Sequence, residues 1–186
     1  MSTRSAVIGM AFLLAGAPSA SFAETVLAPF VGTTFGGGAH DDFGSTQHLV
    51  YGGTLSFLAT PLGFEIDGQY SPHFFGDTSG SNVASFMGGL TLGGGEPGGL
   101  RVYAVAGAGL LKSRVPATAE FFETDRNSFG IELGGSLIVP VSRSLGLKGD
   151  LRYFRGLSDL GSSGVHDIDL SGFHFWRASG GLAFRF

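Results

Sequence analysis

The residues best equipped for chemistry gather near the end of the chain. Ser162, Ser163, His166 and Asp167 carry the groups of a nucleophile, a base and an orienting carboxylate. His166, Asp167, Asp169 and His174 offer nitrogen and oxygen donors of the kind zinc takes. Neither set has the pattern its chemistry needs. A catalytic triad is assembled by folding from separated elements, and His166-Asp167-Ile168-Asp169 with His174 matches no established ligand frame. Solvated loop residues are the simpler reading. The sequence is therefore read as carrying no catalytic residue, no metal site and no cofactor. His40, His48 and His73 also fall in or at the rims of predicted loops. There is no Cys, which excludes a disulfide framework and a thiolate zinc site. Gly93 to Gly99 is a glycine-rich turn, and no helix follows it to present amides to a phosphate.

The elements that would hold any site are strands. The 186 residues include 33 Gly and 18 Phe, and only 14% are charged. This composition argues against a helical bundle, a coiled coil and a disordered chain. A net charge of −4 argues against nucleic acid as a partner. Residues 1–23 are set apart as an export signal. Arg4 gives a basic start, Ala6 to Ala15 an apolar run, and Ser21-Phe22-Ala23 a cleavage site with small residues at its key positions. Residues 24–186 form one domain. No segment of it reaches the ~20 apolar residues of a spanning helix.

Within that domain the hydrophobic period is two. Phe64, Ile66 and Tyr70 alternate with Glu65, Asp67 and Gln69. Phe129, Ile131, Leu133, Leu137 and Val139 alternate with Ser128, Gly130, Glu132, Gly134 and Ser136. Leu147, Leu151 and Tyr153 alternate with Lys148, Asp150 and Arg152, and Trp176, Leu182 and Phe184 with Arg177, Ser179 and Arg185. The pattern predicts eight strands, over 26–36, 48–58, 62–71, 82–92, 99–111, 127–139, 146–156 and 172–186. In the first strand two faces compete, Leu27, Val31 and Phe35 against Val26, Ala28 and Phe30.

Alternation alone fits a soluble sandwich as well as a membrane barrel. Three features favour the barrel. Short and long connections alternate strictly, as periplasmic turns and outer loops do in an up-and-down barrel. Each even-numbered strand holds a Gly-Gly pair: Gly52-Gly53, Gly88-Gly89, Gly134-Gly135 and Gly180-Gly181. Glycine inside a strand lets a tight barrel bend and leaves room for long neighbours. The last strand ends on Phe186, with Trp176, Leu182 and Phe184 on the same face.

On the export signal, the opening Pro29-Phe30-Val31-Gly32, the eight alternating strands and the terminal Phe186, the whole domain resembles the small outer-membrane β-barrels of the OmpA/OmpX type. The resemblance implies an eight-stranded antiparallel up-and-down transmembrane β-barrel in the outer membrane of a Gram-negative cell. It implies membrane lipid, lipopolysaccharide and the outer-membrane assembly machinery as partners. Trp176, Leu182, Phe184 and Phe186 would form the terminal-strand signal that this machinery reads. The superfamily spans adhesins, anchors, small channels and lipid-modifying enzymes, so the fold does not choose a function. Lipid A deacylase barrels of similar size use a His-x-Ser pair, which no histidine here makes. Palmitoyltransferase barrels open on an amphipathic helix, for which there is no room after Glu24.

An eight-stranded interior is just wide enough for side chains. The alternation points Glu65, Asp67, Gln69, Arg101, Tyr103, Glu132, Lys148, Asp150, Arg152, Arg177 and Arg185 inward. Buried charges must pair, so these are expected to form an ion-pair network that plugs the lumen, with Arg101 or Arg152 as the partner of Glu132. Two aromatic girdles are expected outside. Trp176, Tyr70, Phe35 and Phe129 would form the outer one, and Phe30, Phe57, Phe64, Phe184 and Phe186 the inner one. The loops carry an excess of acidic residues and the pairs Phe74-Phe75 and Phe121-Phe122, which would either pack on each other above the barrel or form an adhesive patch for a host or cell-surface ligand. The reading is a non-enzymatic structural or surface-interaction protein. A narrow solute channel is the alternative, and a lipid-modifying hydrolase using His166 or His174 a more distant one.

Overall fold

The computed structural model describes residues 24–36, 48–72, 82–95, 99–115, 124–159 and 174–186. They form eight strands: β1 (Glu24–Phe35), β2 (His48–Leu58), β3 (Leu62–Pro72), β4 (Asn82–Gly94), β5 (Arg101–Val115), β6 (Thr124–Pro140), β7 (Leu145–Asp159) and β8 (His174–Arg185). Each pairs antiparallel with its sequence neighbour, and β8 returns to β1, so the sheet closes and has no edge. The shortest strands, β2 and β3, have 11 residues. That is enough for a tilted strand to cross a bilayer, which takes roughly 9–11. At one end the strands are joined by the short connections 59–61, 95–100 and 141–144. The four longer connections leave from the other.

The surface is inverted relative to a soluble protein. Leu49 is 57% exposed and Phe86 62%, whereas Glu65, Asp67, Glu132, Arg152 and Arg177 are each 1% exposed or less. An apolar exterior around a charged interior suits lipid rather than water, and closing the sheet satisfies every strand's backbone without solvent. The eight-strand barrel expected from the alternation is thus the fold observed.

Most strand ends fall within two residues of the expectation, and the larger differences are in three strands. β5 and β6 run on past the expected bounds, pairing Lys112 with Asn127 and Val115 with Thr124, so their connection shrinks to 116–123. β7 likewise continues to Asp159 through a bulge, where Phe129 pairs with Ser158 and Gly130 with Gly156. In sequence the added residues are mostly polar, so the backbone ladder continues where the apolar alternation has stopped.

In β1, Val26, Ala28, Phe30 and Thr34 face inward, and Leu27, Val31 and Phe35 outward. This corrects the placement of Phe30, which belongs to the lumen and not to a girdle. The other aromatics of the two girdles do face outward. Tyr51 and Tyr153 join the girdle at the long-loop end, with ring centroids 5.7 Å from Tyr70 and 5.2 Å from Trp176 respectively.

Candidate functional site in the barrel lumen

Strict alternation along closed strands delivers charged side chains from six strands to one axis. Four layers fill it. At the short-turn end, Glu24 meets Arg101 at 2.7 Å and accepts a hydrogen bond from Arg185 Nε. Above this lies an apolar layer of Val26, Ala28, Leu58, Tyr103, Val105, Ile138 and Ala183.

The middle layer is the charge network. Arg152 is its hub: it donates to Glu65, to Asp150 at 2.8 Å, to Ser136 at 3.2 Å and to Glu132 at 3.3 Å. Of the two partners offered to Glu132, the structure supplies Arg152, while Arg101 sits in the basal layer. Lys148 Nζ donates to Glu65 at 2.9 Å and to Thr54 at 2.6 Å. Glu65 also accepts from Ser56 at 2.5 Å and from the Tyr103 hydroxyl at 3.2 Å. Arg177 grips Asp67 with two bonds, of 2.9 and 2.7 Å, and donates to Gln69 at 2.7 Å. Its guanidinium lies 4.4 Å from the Phe30 ring and 5.2 Å from that of Phe154. Bidentate, aromatic-stacked pairing of this kind holds a guanidinium in one geometry.

Toward the long-loop end the network is capped by Val83, Met87, Leu111, Phe154 and Phe175, with Phe154 and Phe175 stacked at 4.9 Å. The charge network is thus bounded by apolar side chains on both sides along the axis. Sequence reasoning missed this cap, because Phe154 and Phe175 break the rule of polar inside and apolar outside. It also missed Glu24. With Glu24 included, Arg101, Lys148, Arg152, Arg177 and Arg185 are matched one for one by Glu24, Glu65, Asp67, Glu132 and Asp150. The unmatched positive charge in the expected lumen set was the signal for it.

No protein-family model and no curated protein sequence matches the chain. Solved structures do. Neisserial surface protein A superposes with a TM-score of 0.65 at 13% identity, covering 88% of this chain and 97% of the other. The chain has the fold of the small eight-stranded outer-membrane β-barrels. The N-terminal barrel domain of Pseudomonas aeruginosa OprF aligns at 18% identity and TM-score 0.55, over 87% of this chain and 97% of that one. Ail, the attachment invasion locus protein of Yersinia pestis, aligns at 12% and 0.54, over 88% and 97%.

In this outer-membrane barrel fold the terminal strand closes the ring. Trp176, Leu182, Phe184 and Phe186 lie along the outer face of β8, and the Phe186 amide donates to the Thr25 carbonyl at 2.9 Å. His48 and His174 sit at the long-loop ends of β2 and β8. His40, His73, Ser162, Ser163, His166, Asp167, Asp169, the loop phenylalanines and the export signal lie outside the described residues. Among the described residues no group of three His, Cys, Asp or Glu is placed to hold a metal ion.

Proposed function

We propose that the protein is an outer-membrane barrel with a structural or surface-interaction role. Its lumen is a plug, and its four long connections are presented for contact with lipopolysaccharide or a host or cell-surface ligand. The observation that carries this reading is the layered interior, with an ion-pair network closed above and below by apolar side chains. A barrel sealed this way serves as a scaffold, and what varies is what it displays. Two of the similar structures, a surface protein and an attachment invasion locus protein, bear names of that kind. Residues 1–23 are the cleaved export signal in this reading. The outer face of β8, through Trp176, Leu182, Phe184 and Phe186, is what the assembly machinery recognises. The role is not enzymatic.

Planar-bilayer recording tests the plug. The folded protein should show no conductance steps, and Phe154→Ala, which opens the cap and removes one of the two rings beside Arg177, should show none either because the ion pairs of the charge layer still seal the axis. Steady conductance in the unaltered protein, changed by Glu132→Gln, would overturn the reading in favour of a channel.

A further inference from the structure

The exterior is not uniformly apolar. Among the described side chains, every acidic one faces the lumen or its basal mouth. The charged ones left exposed are Lys112, Arg143 and Arg155, all basic. Arg143 lies in the turn between β6 and β7. Lys112 and Arg155 lie on outward faces near the long-loop end.

Arg155 is the better placed of these two. It stands directly opposite His174 across the β7–β8 ladder, one row above the pair Tyr153 and Trp176. The Tyr153 ring centroid is 5.9 Å from that of His174 and 5.2 Å from that of Trp176. A guanidinium is thus held at the upper edge of the aromatic girdle, the depth at which hydrocarbon gives way to lipid headgroups. Toward the hydrocarbon centre that charge would be costly, whereas beside anionic headgroups it is attracted. The matching rim on β1 to β3 shows Phe35, Leu49, Tyr51 and Tyr70 and no exposed charge. Among the described side chains of this rim, the exposed charge is confined to Lys112 on β5 and Arg155 on β7.

We infer that Arg155 and His174, above Tyr153 and Trp176, seat the phosphate of an anionic lipid in the leaflet at the long-loop end. The guanidinium supplies charge and paired donors, the imidazole a second polar contact, and the two aromatic rings a surface for the first acyl carbons. This rests on the reading of the exterior as lipid-facing, and it names a lipid class and a position for it.

Trp176 is the single tryptophan, so it reports on the seat. The folded protein is placed in phosphatidylcholine vesicles, and quenching by acyl-brominated phosphatidic acid is compared with quenching by acyl-brominated phosphatidylcholine. Phosphatidic acid should be enriched beside Trp176 about fivefold, the effect of one basic side chain at a charged membrane surface. Arg155→Gln should abolish the enrichment, while Arg155→Lys and Arg143→Gln should retain it. Molar salt should remove it from the unaltered protein. Equal quenching by the two lipids, or enrichment that survives Arg155→Gln, overturns the inference while leaving the membrane reading intact. If Arg155→Gln does not fold, the salt series decides, and enrichment insensitive to salt overturns it. No quenching by either lipid overturns both readings.

Discussion

Arg152→Ala should destabilise the folded barrel by about 3–5 kcal/mol, the cost of stripping one partner from a buried charge cluster. Equilibrium urea unfolding from lipid vesicles would measure this. The size follows from the hub position. Arg152 is fully buried and joins Glu65, Asp150 and Glu132. Its removal leaves four central carboxylates, Glu65, Asp67, Glu132 and Asp150, facing only Lys148 and Arg177 in a dry interior. Arg152→Met keeps most of the volume and should cost nearly as much, which separates charge from packing. Arg185→Ala should cost far less. Its partner Glu24 lies at the basal mouth of the barrel and is less deeply buried, so water can take over part of the lost interaction. A cost for Arg152→Ala below about 1 kcal/mol, within the range of exposed pairs, would contradict the network as described.

The second large effect separates two neighbours in one dipeptide. Gly134 faces the lumen, where a Cβ would lie 2.8 Å from the Arg152 Cα and 2.9 Å from its Cγ. Gly135 faces lipid, where the nearest atom to a Cβ would be the Tyr103 carbonyl oxygen at 3.8 Å. Gly134→Val should therefore prevent the compact, heat-resistant form on a cold denaturing gel, or cost at least about 3 kcal/mol, the upper range for an overpacked interior. Gly135→Val should fold normally and unfold within about 1 kcal/mol of the unaltered protein, on the stabilising side, because a branched side chain suits a strand. Equal effects of the two substitutions would mean that the assigned register is wrong.

How much of this could be read from the sequence depended on contrast between the two faces of each strand. In β3, β6, β7 and β8 a charged or polar face alternates with an apolar one, and a one-residue slip would turn every charge toward lipid. Register there was legible, and every inward residue named from the sequence is buried. In β1 both faces are apolar, and alternation had nothing to discriminate. The choice is made by tertiary context: Phe30 faces the Arg177 guanidinium, and Val31 pairs with the outward Gly180. Strand ends were least legible in β5, β6 and β7, where hydrogen bonding outlasts the hydrophobic pattern.

The candidate site was legible as a set of residues but not as a network. Composition along each strand says which charges share the lumen. It does not say which of them meet across it, because the partners are 83 and 110 residues apart for Lys148–Glu65 and Arg177–Asp67. Height along the barrel axis decides the pairing, and height depends on the stagger of all eight strands. That is why Arg101 and Arg152 were equal candidates for Glu132 until the ladder placed Arg101 at the basal mouth. The four Gly-Gly pairs were visible, but their division of labour was not. In each pair one glycine clears space inside and the other lies on the lipid face.

One residue can show whether the apolar face meets lipid while the charged face fills the barrel. Trp176 lies on the outer face of β8 in the girdle at the long-loop end, so its fluorescence tests this most directly. The protein is folded into phosphatidylcholine vesicles brominated at successive acyl depths, with acrylamide as the aqueous quencher. Emission should be blue-shifted, quenched most by bromines near the headgroup and weakly by acrylamide. Emission untouched by brominated lipid at every depth would contradict it, and would put Trp176 either in water or inside a soluble core.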